Sequence, residues 1–187
     1  MKTENIVGEI RKFVEEECNK ETSKYGKEPY EYHFVPMVNH AIKLAEKKQA
    51  DKEIVELAAW LHDIGSIIHG RKDHHITDAE IAEIKLREYN YTEEKIEKIK
   101  HCIISHRGSN NLLPETIEAE IIIEADAMSN FENIAGIFKA AFVYENNTQG
   151  EAKDSVREKL IRKWNQLSEE GKKIIKPKYK AAMLLLK

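Results

Sequence analysis

The sequence LAAWLHDIG, at Leu57–Gly65, guides the interpretation of the whole chain. From Leu57 to Asp63 it makes about two helical turns, apolar on nearly every side until His62 and Asp63. A helix of that kind lies inside a domain. Because buried histidine and aspartate side chains rarely lack partners, the pair predicts a polar cluster at the inner end of a buried helix. Gly65 is expected to let the backbone turn away. The alternative is a core helix that ends in a polar cap, with Asp63 bound to neighbouring backbone.

Composition and charge favour a folded cytoplasmic protein. The 187 residues suffice for one ordinary domain, and a hydrophobic fraction of 41% argues against disorder. A net charge of -3 gives no overall basic field, so we expect no nucleic-acid polymer as a partner. Cys18 and Cys102 lack zinc-type spacing and suit a reducing cytosol. No apolar run approaches the ~20 residues of a membrane span, so we also expect no membrane association.

Apolar residues recur at helical spacing through most of the chain, whereas four prolines and eight glycines are too few for a turn-rich β protein. We therefore predict an all-α fold. It forms one domain over residues 1–187, in which the helices at 150–187 are a C-terminal extension.

Local signals place the helix boundaries. Asp51 and Thr92 are predicted N-caps, and Pro36 is tolerable only near the start of its helix. The polar segment between Gly65 and Thr77 is predicted to be irregular, and Pro177 should stop or kink the last helix. The predicted helices are 3–20, 30–48, 51 to about 63, 77–89, 92 to about 106, 114–126, 128–146, 152–167 and 169–176.

Four polar residues stand at predicted helix ends beside apolar neighbours: His33, His62, Asp63 and Asp126. Two imidazoles and two carboxylates do not suit the thiolate sites of structural zinc. They suit an octahedral divalent ion such as Mn²⁺, Fe²⁺, Co²⁺, Ni²⁺ or Mg²⁺, with water in the remaining positions. Such an ion makes its water more acidic and polarises a phosphoryl or carbonyl oxygen. The plainer interpretation of Asp126 is a cap for a helix that begins at Met128.

From Tyr30 to Asp126 the sequence resembles the HD-domain superfamily of metal-dependent phosphohydrolases. The family pattern is a histidine near the start of one helix, a His-Asp pair in a buried helix, and a distant aspartate. This chain offers His33, the segment LHDIG at residues 61–65, and EAD at residues 124–126. A histidine-rich link, a helix that opens with DAEIA and a helix that closes with SHR follow in the same order. The resemblance implies a helical HD-type fold with its motif core at about 30–130.

The resemblance also implies a ligand set. His33, His62, Asp63 and Asp126 would bind one metal ion. In relatives with two ions the aspartate of the His-Asp pair bridges them, and two further histidines hold the second. The candidates for a second-metal ligand, or for an acid or base, are His74 and His106, followed by His75 and His101. Their plainer interpretations are exposed loop residues for His74 and His75, and a helix-terminal charge for His106.

One departure from the family concerns phosphate. Many relatives carry an arginine three residues after the first histidine, where this chain has Pro36. If phosphate is bound, Arg71, Lys72 or Arg107 must contribute more to it, and a guanidinium fork suits phosphate well.

The sequence thus predicts a hydrolase with one or two divalent metal ions. Its substrates would be nucleotides or other small phosphate esters, attacked at phosphorus by a metal-bound hydroxide, with monoesters and diesters both open. One alternative is a di-iron oxygenase of the same superfamily, and another is a non-catalytic nucleotide sensor. Apolar residues in the last helices, including Met183–Leu186, leave a homodimer open.

Overall fold

The computed structural model describes residues 6–107 and 113–187. Within these residues it has ten α-helices, two π-helical segments and no strand, so the predicted all-α fold class is confirmed. The α-helices are α1 (Ile6–Asn19), α2 (Val35–Lys48), α3 (Lys52–Leu61), α4 (Ile64–His69), α5 (His74–Glu88), α6 (Glu93–Ser105), α7 (Ile117–Asn130), α8 (Ile134–Lys139), α9 (Gln149–Asn165) and α10 (Glu169–Leu185). The π-helical segments are Tyr30–Phe34 and Ala140–Tyr144.

The chain divides into two compact units, Met1–Ile123 and Glu124–Lys187. The single domain expected from the sequence stays a prediction. The expected start of the first helix at residue 3 lies outside the described residues. In the part of the chain that is described, no helix combines the length and the apolar character that crossing a membrane requires.

Helix α3 forms the interior of the first unit. Its side chains from Leu57 to Leu61 are all buried, and it packs against α1, α2, α5 and α6. Asp51 caps it as predicted, because the carboxylate accepts the backbone N–H groups of Glu53 and Ile54. The helix that ends in the His-Asp pair is therefore the buried helix that the sequence predicts.

A π-helical turn leads into α2. The backbone N–H of Val35 donates to the carbonyl of Tyr30, five residues earlier, and Pro36 occupies the first turn of α2 as predicted. Proline has no N–H to donate and its ring crowds the carbonyl four residues before it. The wide turn Tyr30–Phe34 relieves that crowding, and it carries His33.

We predicted that the segment after the His-Asp pair is irregular, but in the structure most of it is helical. Helix α4 begins at Ile64, and α5 begins at His74, three residues before the predicted start at Thr77. The hydroxyl of Thr77 donates to the carbonyl of His74 inside the helix instead of capping it. The prediction failed because it weighed polar composition, whereas burial of His74 and other residues along α5 determines where the helix forms.

Gly65 does not turn the chain away. It lies inside α4, and the positive-φ glycines of the described residues are Gly26 and Gly70. A Cβ on Gly65 would lie 2.3 Å from Thr77 Oγ1 and 2.8 Å from Asp78 Oδ1. The glycine is thus required by the close approach of α4 and α5.

In the second unit three predicted boundaries are wrong, and one of them is the helix expected from Met128, which begins only at Ile134. Helix α7 continues through Asp126 to Asn130, and α10 continues through Pro177 to Leu185. Pro177 removes one backbone hydrogen bond from α10, but the packing of residues around it keeps the helix continuous. Tyr179 stacks on Trp164 with ring centroids 4.2 Å apart, so the helix remains ordered beyond the proline.

Candidate metal centre

Four imidazoles surround the carboxylate of Asp63. Its Oδ2 lies 3.4 Å from His33 Nε2 and 3.6 Å from His62 Nε2. Its Oδ1 lies 3.4 Å from His74 Nε2 and 3.6 Å from His106 Nε2. Each carboxylate oxygen therefore faces a different pair of histidines, and all four histidines present the same ring nitrogen.

Helix ends bring these side chains together. His62 directly follows α3, and Asp63 has φ -126° and ψ 14°, which interrupts the helix between α3 and α4. His33 lies on the π-helical turn, His74 opens α5 and His106 directly follows α6. Packing of α3 against α2, α5 and α6 sets the distances among these ends.

Backbone carbonyls fix the proton on three of the rings. In each case Nδ1 lies near the carbonyl three residues earlier. The bonds join His62 to Ala59 (2.8 Å), His74 to Arg71 (3.0 Å) and His106 to Ile103 (2.5 Å). Because a carbonyl can only accept, Nδ1 carries the proton and Nε2 presents a lone pair toward Asp63. Metal-binding histidines are oriented in this way.

Burial and charge keep the cluster suited to a cation. Burial alone would raise the pKa of the Asp63 carboxyl, but the neighbouring imidazoles of His62, His106 and His33 hold its pKa well below the ordinary value. Burial lowers the pKa of His74 and so favours its neutral form. His74 and His75 are only 7% and 8% exposed, which excludes their interpretation as exposed loop residues.

The donor set fits divalent metal ions. Donors that share an ion at ~2.1 Å are about 3.0–3.4 Å apart. His33 Nε2 and His62 Nε2 are 3.1 Å apart, and the nitrogen-to-carboxylate distances are only slightly longer. Two groups could each hold an ion: His33, His62 and Asp63, and Asp63, His74 and His106. Asp63 belongs to both groups, which is the position of a bridging ligand.

Asp126 lies in the second unit and is 6% exposed. Its Oδ2 accepts from Lys163 Nζ at 2.5 Å, and its Oδ1 accepts from Asn130 Nδ2 at 3.1 Å. Because Asp126 lies within α7, it is not the cap of a helix that begins at Met128. Its role as a metal ligand stays a prediction. No sequence signal indicates Lys163, since lysine and glutamate recur along α9 and a helix of that composition is ordinarily exposed to solvent.

The remaining candidates lie outside the two groups. His101 Nε2 accepts the backbone N–H of Glu115 at 3.0 Å. His75 Nδ1 lies 3.0 Å from Arg107 Nη1. The side chains of Arg71 and Lys72 are exposed.

Asp78 is a residue of the site region whose role the sequence did not reveal. It is fully buried, and its Oδ1 accepts the backbone N–H of Gly65, two residues after Asp63, at 2.5 Å. Burial, together with the charge of Asp63, raises the pKa of Asp78 to about 10. Asp78 is therefore a neutral acid at physiological pH that ties α5 to the first turn of α4.

The sequence from residue 30 to 130 matches the family model of the HD domain. The chain is 36% identical over 101 residues to an uncharacterized protein of Clostridium beijerinckii, in a match that covers 52% of this chain and 62% of that protein. It is 34% identical over 99 residues to ribonuclease Y of Alkaliphilus metalliredigens, covering 52% of this chain and 19% of the ribonuclease. The chain thus spans less than two thirds of the length of either relative.

Solved structures share the fold. YpgQ of Bacillus subtilis, in complex with ADP, superposes with a TM-score of 0.73 at 19% identity, covering 96% of this chain and 90% of YpgQ. An HD-superfamily hydrolase of Bacillus thuringiensis superposes with a TM-score of 0.68 at 18% identity, covering 96% of this chain and 92% of the hydrolase. At these identities the likeness shows the fold alone.

Proposed function

The chain belongs to the HD-domain family, and from this premise we propose that it is a metal-dependent phosphohydrolase acting on nucleotides or other small phosphate esters. The observation that carries the proposal is the convergence of four histidine Nε2 atoms on the two oxygens of Asp63. The ADP complex of YpgQ and the hydrolase of Bacillus thuringiensis support it, since both share this fold.

The proposal gives each residue of the cluster a task. His33, His62 and Asp63 would hold one ion, and Asp63, His74 and His106 would hold a second. Bound divalent ions supply Lewis acidity toward a phosphoryl oxygen and make water more acidic. The backbone carbonyls that bind Nδ1 keep the imidazoles oriented, so little reorganisation is needed when an ion enters.

Charge provides the second part of the proposal. Asp63 remains ionised, and the imidazoles are neutral donors, so the ions carry most of the positive charge in the centre. Arg71, Lys72 and Arg107 lie within three residues of His74 or His106 in sequence and could pair with the phosphate.

The experiment measures phosphate release from nucleoside mono-, di- and triphosphates and from a diester, with and without Mn²⁺. We expect metal-dependent turnover that the Asp63→Ala variant lacks, while circular dichroism shows that this variant remains helical. Full activity in Asp63→Ala would exclude the mechanism. Because ribonuclease Y is a relative, a short RNA is included, and we expect no cleavage of it.

A second candidate rests on the same donors. Four imidazoles and a shared carboxylate also suit two irons that activate O₂. Oxygen uptake by the Fe²⁺-loaded protein, without phosphatase activity in Mn²⁺, would favour that oxygenase. Tight nucleotide binding without turnover would instead favour a sensor.

A further inference from the structure

Arg107 and His75 form a pair beside the Asp63 cluster. Arg107 Nη1 lies 3.0 Å from His75 Nδ1, and His75 is 8% exposed. Since arginine can only donate, His75 Nδ1 accepts, and the proton of the neutral ring is on Nε2. His75 is therefore the opposite tautomer to His62, His74 and His106, whose Nδ1 atoms carry the proton and donate it.

The pair joins the two segments whose histidines, His74 and His106, face Oδ1 of Asp63. His75 directly follows His74 on α5, and Arg107 directly follows His106 at the end of α6. Adjacent helical residues point about 100° apart, so His74 can face Asp63 while His75 faces Arg107. The rings of His74 and His75 are indeed nearly perpendicular, with an interplanar angle of 85°.

The charge of Arg107 has no acidic partner among residues 6–107 and 113–187. By contrast, Arg87 pairs with Glu83 and Glu93 within 3.0 Å. Among the described residues the half-buried guanidinium bonds only to His75, and such a group is suited to bind an anion.

We propose that Arg107 binds the phosphate of the substrate and that His75 is a positioning residue, which fixes the guanidinium beside the His74–His106 half of the centre. The inference rests on the proposed function and narrows it, since it selects one of three candidate cations. Arg71 contributes its backbone carbonyl to His74, but its side chain and that of Lys72 are exposed. His75 is accordingly not a metal ligand.

The test measures two affinities by calorimetry, that of the protein for Mn²⁺ and that of the Mn²⁺-loaded protein for inorganic phosphate. Arg107→Met should weaken phosphate binding about tenfold or more, because it removes a charged, multidentate contact. His75→Leu should weaken it about three- to tenfold, whereas His75→Asn, whose amide oxygen can replace Nδ1 as acceptor, should restore most of it. None of these variants should lose Mn²⁺.

Arg87→Met is the matched control, since it removes an arginine near the far end of α5 that is paired with Glu83 and Glu93, and it should leave phosphate affinity within about twofold of the wild type. The inference is overturned if Arg107→Met binds phosphate normally, if His75→Asn is as impaired as His75→Leu, or if His75→Leu loses Mn²⁺. It is also overturned if the loaded wild type does not bind phosphate. If phosphate affinity depends on Arg107 and His75 but no ester is hydrolysed, the proposed function fails and this inference stands.

Discussion

The Asp78 carboxyl accepts the backbone N–H of Gly65 at 2.5 Å, and this bond joins α5 to the first turn of α4. Gly65 lies two residues after Asp63, so the contact supports the backbone that carries the central carboxylate. The approach is close enough that a methyl group on Gly65 would collide with both Thr77 and Asp78. The geometry of the cluster thus depends on contacts between α4 and α5 as well as on those among its own side chains.

Replacing Gly65 by alanine should destabilise the protein. The new Cβ would lie 2.9 Å from the backbone nitrogen of Asp78, so helix α5 itself would have to move. We expect a loss of about 2 kcal/mol in the free energy of unfolding, measured by urea denaturation. Gly150→Ala is the control, because a Cβ there meets nothing within 4 Å and alanine favours a helix. If Gly65→Ala and Gly150→Ala were equally stable, the close approach of α4 and α5 at Gly65 would be contradicted.

Asp78 should make stability depend on pH. Its pKa is raised to about 10 in the folded protein, so the folded state keeps a proton that the unfolded state has lost above about pH 5. Stability then falls as pH rises toward the folded pKa, by at most about 1.4 kcal/mol per pH unit. The histidines and cysteines also titrate near neutral pH, but they are the same in the wild type and in Asp78→Asn, so the difference between the two slopes reports Asp78. Urea denaturation should show this slope in the wild type and a flatter one in Asp78→Asn; identical slopes would count against a neutral Asp78.

The Lys163–Asp126 pair should stabilise the second unit. The two side chains are 17% and 9% exposed, so Lys163→Met leaves a buried carboxylate without its ammonium partner. We expect a loss of about 3 kcal/mol. Lys178→Met breaks the pair with Glu132, whose side chains are 47% and 29% exposed, and should cost about 1 kcal/mol or less. Thermal unfolding of both variants tests the difference. Similar decreases in the melting temperature would refute the claim that burial makes the Lys163–Asp126 pair more important for stability.

Local sequence signals were sufficient for part of the fold. The apolar residues around His62 and Asp63 correctly predicted a buried helix, and the cap at Asp51 and the proline at the start of α2 were predicted from chemistry that acts within one helical turn. The resemblance named His33, His74 and His106 before the structure brought them together around Asp63.

Contacts between distant residues were not predictable in this way. The start of α5 at His74 depends on which side chains become buried, and the passage of α10 through Pro177 depends on the packing of Tyr179 against Trp164. The bond from Asp78 to Gly65 and the pair of Lys163 with Asp126 join different helices. No periodicity or spacing within one helix carries that information.

The most direct test of the central claim is the metal content per chain, measured by elemental analysis of protein purified without chelator and then supplied with Mn²⁺ or Fe²⁺. Because Asp63 faces both histidine pairs, we predict about two ions per chain in the wild type, about one in His74→Ala and none in Asp63→Ala. A wild type that binds no ion under these conditions, or an Asp63→Ala variant that keeps its full metal content, would contradict a metal centre built around Asp63.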